Sequence, residues 1–117
     1  MLTAFLDTVR DGDMIAPRRM ADRLHLPMTG LARLARLNRN TLSSKASSST
    51  VQTRLGEIAS IIARAAELSG DEGRAIIWFR HQPITGFSGK TARELVEDGH
   101  GDAVLNLLDD LENGVHA

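Results

Sequence analysis

The sequence predicts an all-α protein, on three observations. Ala, Leu and Arg dominate, whereas the aromatics amount to three Phe and one Trp, and β-branched alternation is almost absent. Val51 to Leu68, VQTRLGEIASIIARAAEL, places Val51, Leu55, Ile58, Ile62 and Ala65 at steps of 4, 3, 4 and 3, with Ile61 and Leu68 beside them. That spacing draws one broad apolar stripe along a helix of about 27 Å. The other apolar clusters are short and are separated by Pro, Gly and Asn breaks, as in a bundle of short helices.

The elements follow in chain order. Leu2, Phe5, Leu6 and Val9 make either a short amphipathic helix ended by Asp11-Gly12-Asp13 or a loosely attached arm. Pro17 suits the first turn of a helix through RRMADRLHL, with Met14, Met20 and Leu24 inward and Arg18, Arg19 and Arg23 outward. Pro27 closes it. Thr29 is then expected to cap a helix from Gly30 to about Arg36, burying Leu31, Leu34 and Ala35 and leaving Arg33 and Arg36 in solvent.

Leu37-Asn38 reads as a turn, because Asn tolerates unusual backbone angles. The next helix, NRNTLSSKA, has Leu42 as its one large apolar residue, so it packs lightly and shows most of its surface. Hydroxyls at Ser47 to Thr50 cap the long helix, and Ser69-Gly70 stops it. Asp71 caps GRAIIWFRHQ, which is expected to bury Ile76, Ile77 and Phe79 with Trp78 at an edge. PITGFSGK is a loop anchored by Ile84 and Phe87. Thr91 caps ARELVEDG, and Asp102 begins a last helix with Val104, Leu107, Leu108 and Leu111 inward.

Charge divides the chain. Residues 1 to 64 carry ten Lys/Arg against five Asp/Glu, a net of +5, and residues 65 to 117 carry four against ten, a net of −6. The near-neutral total of −1 therefore conceals a basic half and an acidic half. Three segments are expected: an N-terminal arm and helix-turn-helix module (1–50), a connecting helix (51–70) and a C-terminal module (71–117). The absence of cysteine excludes disulfides and Cys-ligated metal, and no apolar run reaches the length of a membrane span, so a cytoplasmic protein without membrane association is expected.

From Arg18 to Arg54, eight basic residues stand against one acid, Asp22. A face of this kind neutralises phosphates and binds nucleic acid in a salt-dependent way, although it also suits a merely solvated surface. A slim polar helix bearing Arg39, Asn40, Thr41, Ser43 and Ser44 fits a major groove, where Arg reads guanine and Asn reads adenine. Residues 31 to 43, LARLARLNRNTLS, resemble the helix-turn-helix of the Xre (lambda-repressor-like) family. One position departs, with Arg36 where that family commonly has Gly. The candidate DNA-binding residues are Arg33, Arg36, Arg39, Asn40, Thr41, Ser43, Ser44 and Lys45.

Residues 78 to 115 are similar to the toxin-binding domain of Xre/MbcA/ParS antitoxins. The likeness lies in Trp78-Phe79, Pro83, the Phe87-x-Gly89-Lys90-Thr91 turn, Glu94-Leu95, Gly101, Val104, Leu107-Leu108 and Gly114-Val115, with Ala92 where that family often has Pro. The resemblance implies a type II toxin–antitoxin system whose partner is a RES-domain toxin that uses NAD. It also implies occlusion of the toxin's cleft by the C-terminal region and repression of the operon through the helix-turn-helix. The candidate toxin contacts are Trp78, Phe87, Lys90, Asp109, Glu112, Asn113, Gly114, Val115, His116 and Ala117. An acidic tail suits the cationic lining of a phosphate-binding cleft, and the same acids equally suit a solubilised helix.

Catalysis is not expected. The histidines, at 25, 81, 100 and 116, have no metal-ligand spacing, and Asp109-Asp110 diverge by about 100° on a helix. Gly86-x-x-Gly89-Lys90-Thr91 only faintly echoes a phosphate loop and follows no strand. No cofactor and no metal site are expected. A homodimer is expected from the two-fold logic of operators, with the 51–68 stripe serving either as core or as dimer interface. The rival reading is a free-standing regulator whose C-terminal half only dimerises.

Overall fold

The computed structural model describes the backbone of residues 2–114 and the side chains from Ala4 to Gly114. Eight helices occur among the described residues: α1 (Leu2–Val9), α2 (Pro17–Leu24), α3 (Met28–Ala35), α4 (Arg39–Ser44), α5 (Ser49–Ser69), α6 (Glu72–His81), α7 (Ala92–Glu97) and α8 (Gly101–Asn113). The predicted all-α class holds with one exception. Arg10–Asp11 (β1) and Met14–Ile15 (β2) form a two-stranded antiparallel hairpin, turned by Gly12 at φ 65°. Positive φ costs a residue without a Cβ little, which suits Gly to so tight a reversal. No helix is long and apolar enough to cross a membrane among the described residues.

Helix α5 is the core of the molecule. Ser48 caps it by accepting from the Val51 N–H at 3.3 Å, and Gly70 ends it in the left-handed conformation at φ 78°. Val51, Leu55, Ile58, Ala59, Ile61 and Ile62 have no exposed surface at all. Helices α1, α6 and α8 pack on α5, which also meets α2, α3 and β2. The apolar stripe of the sequence is thus the internal core, and this settles the choice between core and dimer interface. Its last member differs: Leu68 is 41% exposed and borders an open cavity with Trp78 and Leu111.

Local chemistry sets most helix starts. Asn38 accepts from the Thr41 N–H at 2.7 Å and begins α4. Asp71 accepts from the Arg74 N–H at 2.9 Å and begins α6. Thr91 and Glu94 complete a reciprocal capping box for α7, with both backbone N–H groups satisfied. Two expected starts are corrected. Helix α3 begins at Met28 after Pro27, so Thr29 lies inside the first turn and makes no cap. Helix α8 begins at Gly101 rather than Asp102, with His100 in the cap position.

The N-terminal segment is a helix rather than a loose arm, with Phe5 and Val9 buried against α5. The Gln52 side chain fastens the hairpin to α5. It accepts from the Ile15 N–H at 2.8 Å and donates to the carbonyls of Ile15 and Ala46 at 2.9 and 2.8 Å.

Candidate functional site

Helix α4 is held by a single side chain. Leu42 has no exposed surface, while Arg39, Asn40, Ser43, Ser44 and Lys45 are exposed and Thr41 is half-buried. The Ser44 hydroxyl donates to the Asn40 carbonyl at 2.7 Å, so it is partly engaged within the helix. Arg39 and Lys45 meet no carboxylate among the described residues. Between them, α4 presents two cations and several small polar groups on a thin edge, as the sequence suggests.

Arg36 is exposed, as expected, but its side chain also makes contacts within the fold. It sits just after α3 with φ 58°, a left-handed conformation that costs a residue with a Cβ roughly 1–2 kcal/mol. Its guanidinium donates to the Val96 carbonyl in α7 at 2.9 Å and lies 3.9 Å from the Glu57 carboxylate. Arg54 of α5 donates to the carbonyls of Ala35 and Arg36 at 3.2 and 2.7 Å. These groups stitch the turn between α3 and α4 to α5 and α7. Arg36 is therefore tied into the fold rather than aligned with the free cations of α4.

Glu57 completes the junction. A Cβ added to Gly101 would stand 2.6 Å from the Glu57 Cδ, so only glycine allows this carboxylate to lie against the start of α8. A carboxylate there is favoured by the partial positive charge of a helix N-terminus. Arg33, the remaining candidate on α3, is exposed and lines a surface cavity together with Arg80, His81 and Arg93.

The second surface lies across α5, α6 and α8. Ala75, Ile76 and Phe79 are buried, but Ile77 is 64% exposed, which corrects the expectation that it faces inward. Leu111, expected inward, is likewise 39% exposed. Leu68, Ala75, Trp78, Leu108 and Leu111 line an open apolar cavity of about 310 Å³. Ile77 borders a neighbouring recess that shares Trp78 and Arg74. Sequence reasoning found Trp78 here but missed Leu68, Ile77 and Leu111, since periodicity identifies a stripe and not the reach of its cover.

The other candidates are dispersed. Phe87 is half-buried against the core in the loop before α7. Lys90 pairs with Asp98, and this hydrogen bond raises the Lys90 pKa and lowers that of Asp98. Asp109 and Glu112 both reach Arg64 of α5, Glu112 at 3.6 Å, so their charge is partly compensated within the chain. Asn113 and Gly114 are exposed at the end of α8, with Gly114 left-handed at φ 69°. Val115, His116 and Ala117 lie outside the described residues.

Residues 64–114 match the family model of the antitoxin Xre/MbcA/ParS C-terminal toxin-binding domain. The chain carries the toxin-binding domain of an Xre/MbcA/ParS-type antitoxin. No curated protein and no solved structure matches it. The matched segment of the antitoxin begins inside α5, at Arg64, the residue that holds the acids of α8. It takes in α6, α7, α8 and the whole apolar cavity around Trp78. The toxin-binding domain is thus continuous in packing with the N-terminal helices through α5.

Proposed function

We propose that this antitoxin blocks a RES-domain, NAD-utilising toxin with its C-terminal domain and represses its own operon by binding operator DNA through α3 and α4. The observation that carries the reading is the pairing, in one chain, of a toxin-binding domain match with a polar helix anchored only by Leu42. A helix so lightly buried contributes little core, and its Arg39, Asn40, Ser43 and Lys45 are chemically suited to base edges and phosphates.

For the toxin, the supporting feature is the apolar notch formed by Leu68, Trp78 and Leu111, with Ile77 beside it. Exposed large apolar side chains grouped around a tryptophan are typical anchors of protein interfaces. We place the toxin contact there, extending along α8 to Asn113, Gly114 and the tail Val115-His116-Ala117, with Phe87, Lys90, Asp109 and Glu112 as candidates around it. The protein acts in the cytoplasm in this reading, since both its partners do.

Operator two-fold symmetry favours a homodimer. The contact between copies then uses a surface other than the α5 stripe, which is buried within the chain. A segmentation into residues 1–50, 51–70 and 71–117 describes the division of labour, although the three share one core. The test is a gel shift with a fragment from the chain's own promoter, together with retention of a co-expressed RES toxin encoded in the neighbouring reading frame. Binding to both supports the reading. Failure on either removes the corresponding half.

A further inference from the structure

Half of the twelve arginines are engaged within the chain. Arg23, Arg64 and Arg93 meet carboxylates, while Arg19, Arg36 and Arg54 donate to backbone carbonyls. Arg33 and Arg80 have no acid partner among the described residues, and they come together. Arg33 projects from α3, Arg80 comes from α6, and both line a surface cavity of about 360 Å³ with His81 and Arg93.

Two acids share the rim, and each is held by a neighbour there, so that Glu97 compensates Arg93 and leaves Arg33 and Arg80 without a carboxylate. Glu94 accepts from the Thr91 N–H at 3.0 Å as part of the capping box, and Glu97 accepts from the Arg93 Nε at 3.3 Å. The Arg80 Nε is buried and has no hydrogen-bond partner. An unpartnered buried N–H on a permanently charged group is unusual, and a water or a bound anion is one way to satisfy it. A cluster of guanidiniums with a histidine is chemically matched to a dianionic oxygen ligand.

We propose that this cavity is a phosphate-binding notch built jointly by α3 and by α6 and α7 of the toxin-binding domain. Its ligand is a phosphate group, from the DNA backbone or from a free phosphate ester. The backbone source rests on the DNA-binding reading above. It means that Arg80 extends the nucleic-acid footprint across the boundary between the two functional regions, so that a toxin seated on α6 changes DNA affinity directly.

The test uses the full chain, with inorganic pyrophosphate and a random-sequence duplex as probes. Pyrophosphate is expected to raise the melting temperature in a saturable way, and Arg33→Gln and Arg80→Gln each to remove that response. Each variant is also expected to flatten the slope of log affinity for the duplex against log salt by about 1, the loss of one phosphate contact. Pyrophosphate saturation in a chain that ignores duplex supports the notch as a site for free phosphate esters and removes the DNA reading instead. No saturable response to pyrophosphate, with unchanged salt slopes in the variants, overturns the notch. Loss of toxin retention with both phosphate readouts unchanged also overturns it, in favour of acidic side chains of a protein partner. If Arg80→Gln does not fold, Arg33→Gln, at an exposed position on α3, decides alone.

Discussion

The guanidinium of Arg36, at the turn that leads into α4, donates to the Val96 carbonyl in α7 at 2.9 Å. This bond joins the turn between α3 and α4 to the toxin-binding domain. It is made by a residue whose own backbone is left-handed at φ 58°. The side chain is thus stabilising and the backbone conformation is costly. Arg36→Ala removes a charged hydrogen bond while keeping the strained backbone, and is expected to destabilise by about 2 kcal/mol. Arg36→Gly loses the same bond but relieves the backbone, so it is expected to be about 1 kcal/mol more stable than the Ala variant in urea unfolding. Equal stability of the two variants would show that the backbone strain contributes nothing.

Helix α4 allows its packing and its proposed DNA recognition to be tested apart. Leu42→Ala leaves a cavity under its one buried anchor and is expected to cost about 2–5 kcal/mol. Arg39→Ala and Asn40→Ala, both exposed, are expected to change stability by less than about 0.5 kcal/mol. They are nevertheless expected to abolish preference for the operator while weaker non-specific binding persists. Equal loss on every DNA sequence would argue against base reading.

The architecture was legible where local chemistry decides it. The 4-3-4-3 spacing located α5, and Asp71 and Thr91 announced helix starts as side-chain caps, whereas Asn38 reads in sequence only as a turn and its cap emerges from the structure. What was hidden depends on partners distant in sequence. A hairpin of two-residue strands has no period to detect. Ile77 and Leu111 fit inward-facing patterns, but no helix covers them. Arg36 reads locally as a solvent-facing cation, and only the arrival of α7 reveals its role. The Arg33–Arg80 notch is likewise invisible along the chain, because its two walls come from helices α3 and α6.

Gly101 holds space for Glu57 at the start of α8. Gly101→Ala is expected to displace that carboxylate and to destabilise by about 1 kcal/mol, through the lost charge–helix interaction. Glu57→Gln in the Gly101→Ala background should then add little, as a double-mutant cycle would read. Full additivity of the two changes would show that the residues act independently.

The Lys90–Asp98 pair ties the loop before α7 to its C-terminal end. The hydrogen bond from Lys90 depresses the Asp98 pKa in the folded state. Its stabilisation is therefore present above the ordinary carboxylate pKa and fades as pH falls through the lowered value. Lys90→Met is expected to abolish this contribution, so its stability deficit relative to the parent should shrink as pH drops below the carboxylate range. A deficit that stays constant down to pH 2 would contradict the pairing, and the effect is small because both groups are exposed.

The measurement that bears most directly on the division of labour follows growth and a promoter reporter together, in cells that express the RES toxin with antitoxin variants. Ile77→Asp with Leu111→Asp is expected to lose growth rescue and keep repression, whereas Arg39→Ala with Asn40→Ala is expected to keep rescue and lose repression. Loss of both functions in each folded variant, or of neither, would contradict two separate surfaces on one core.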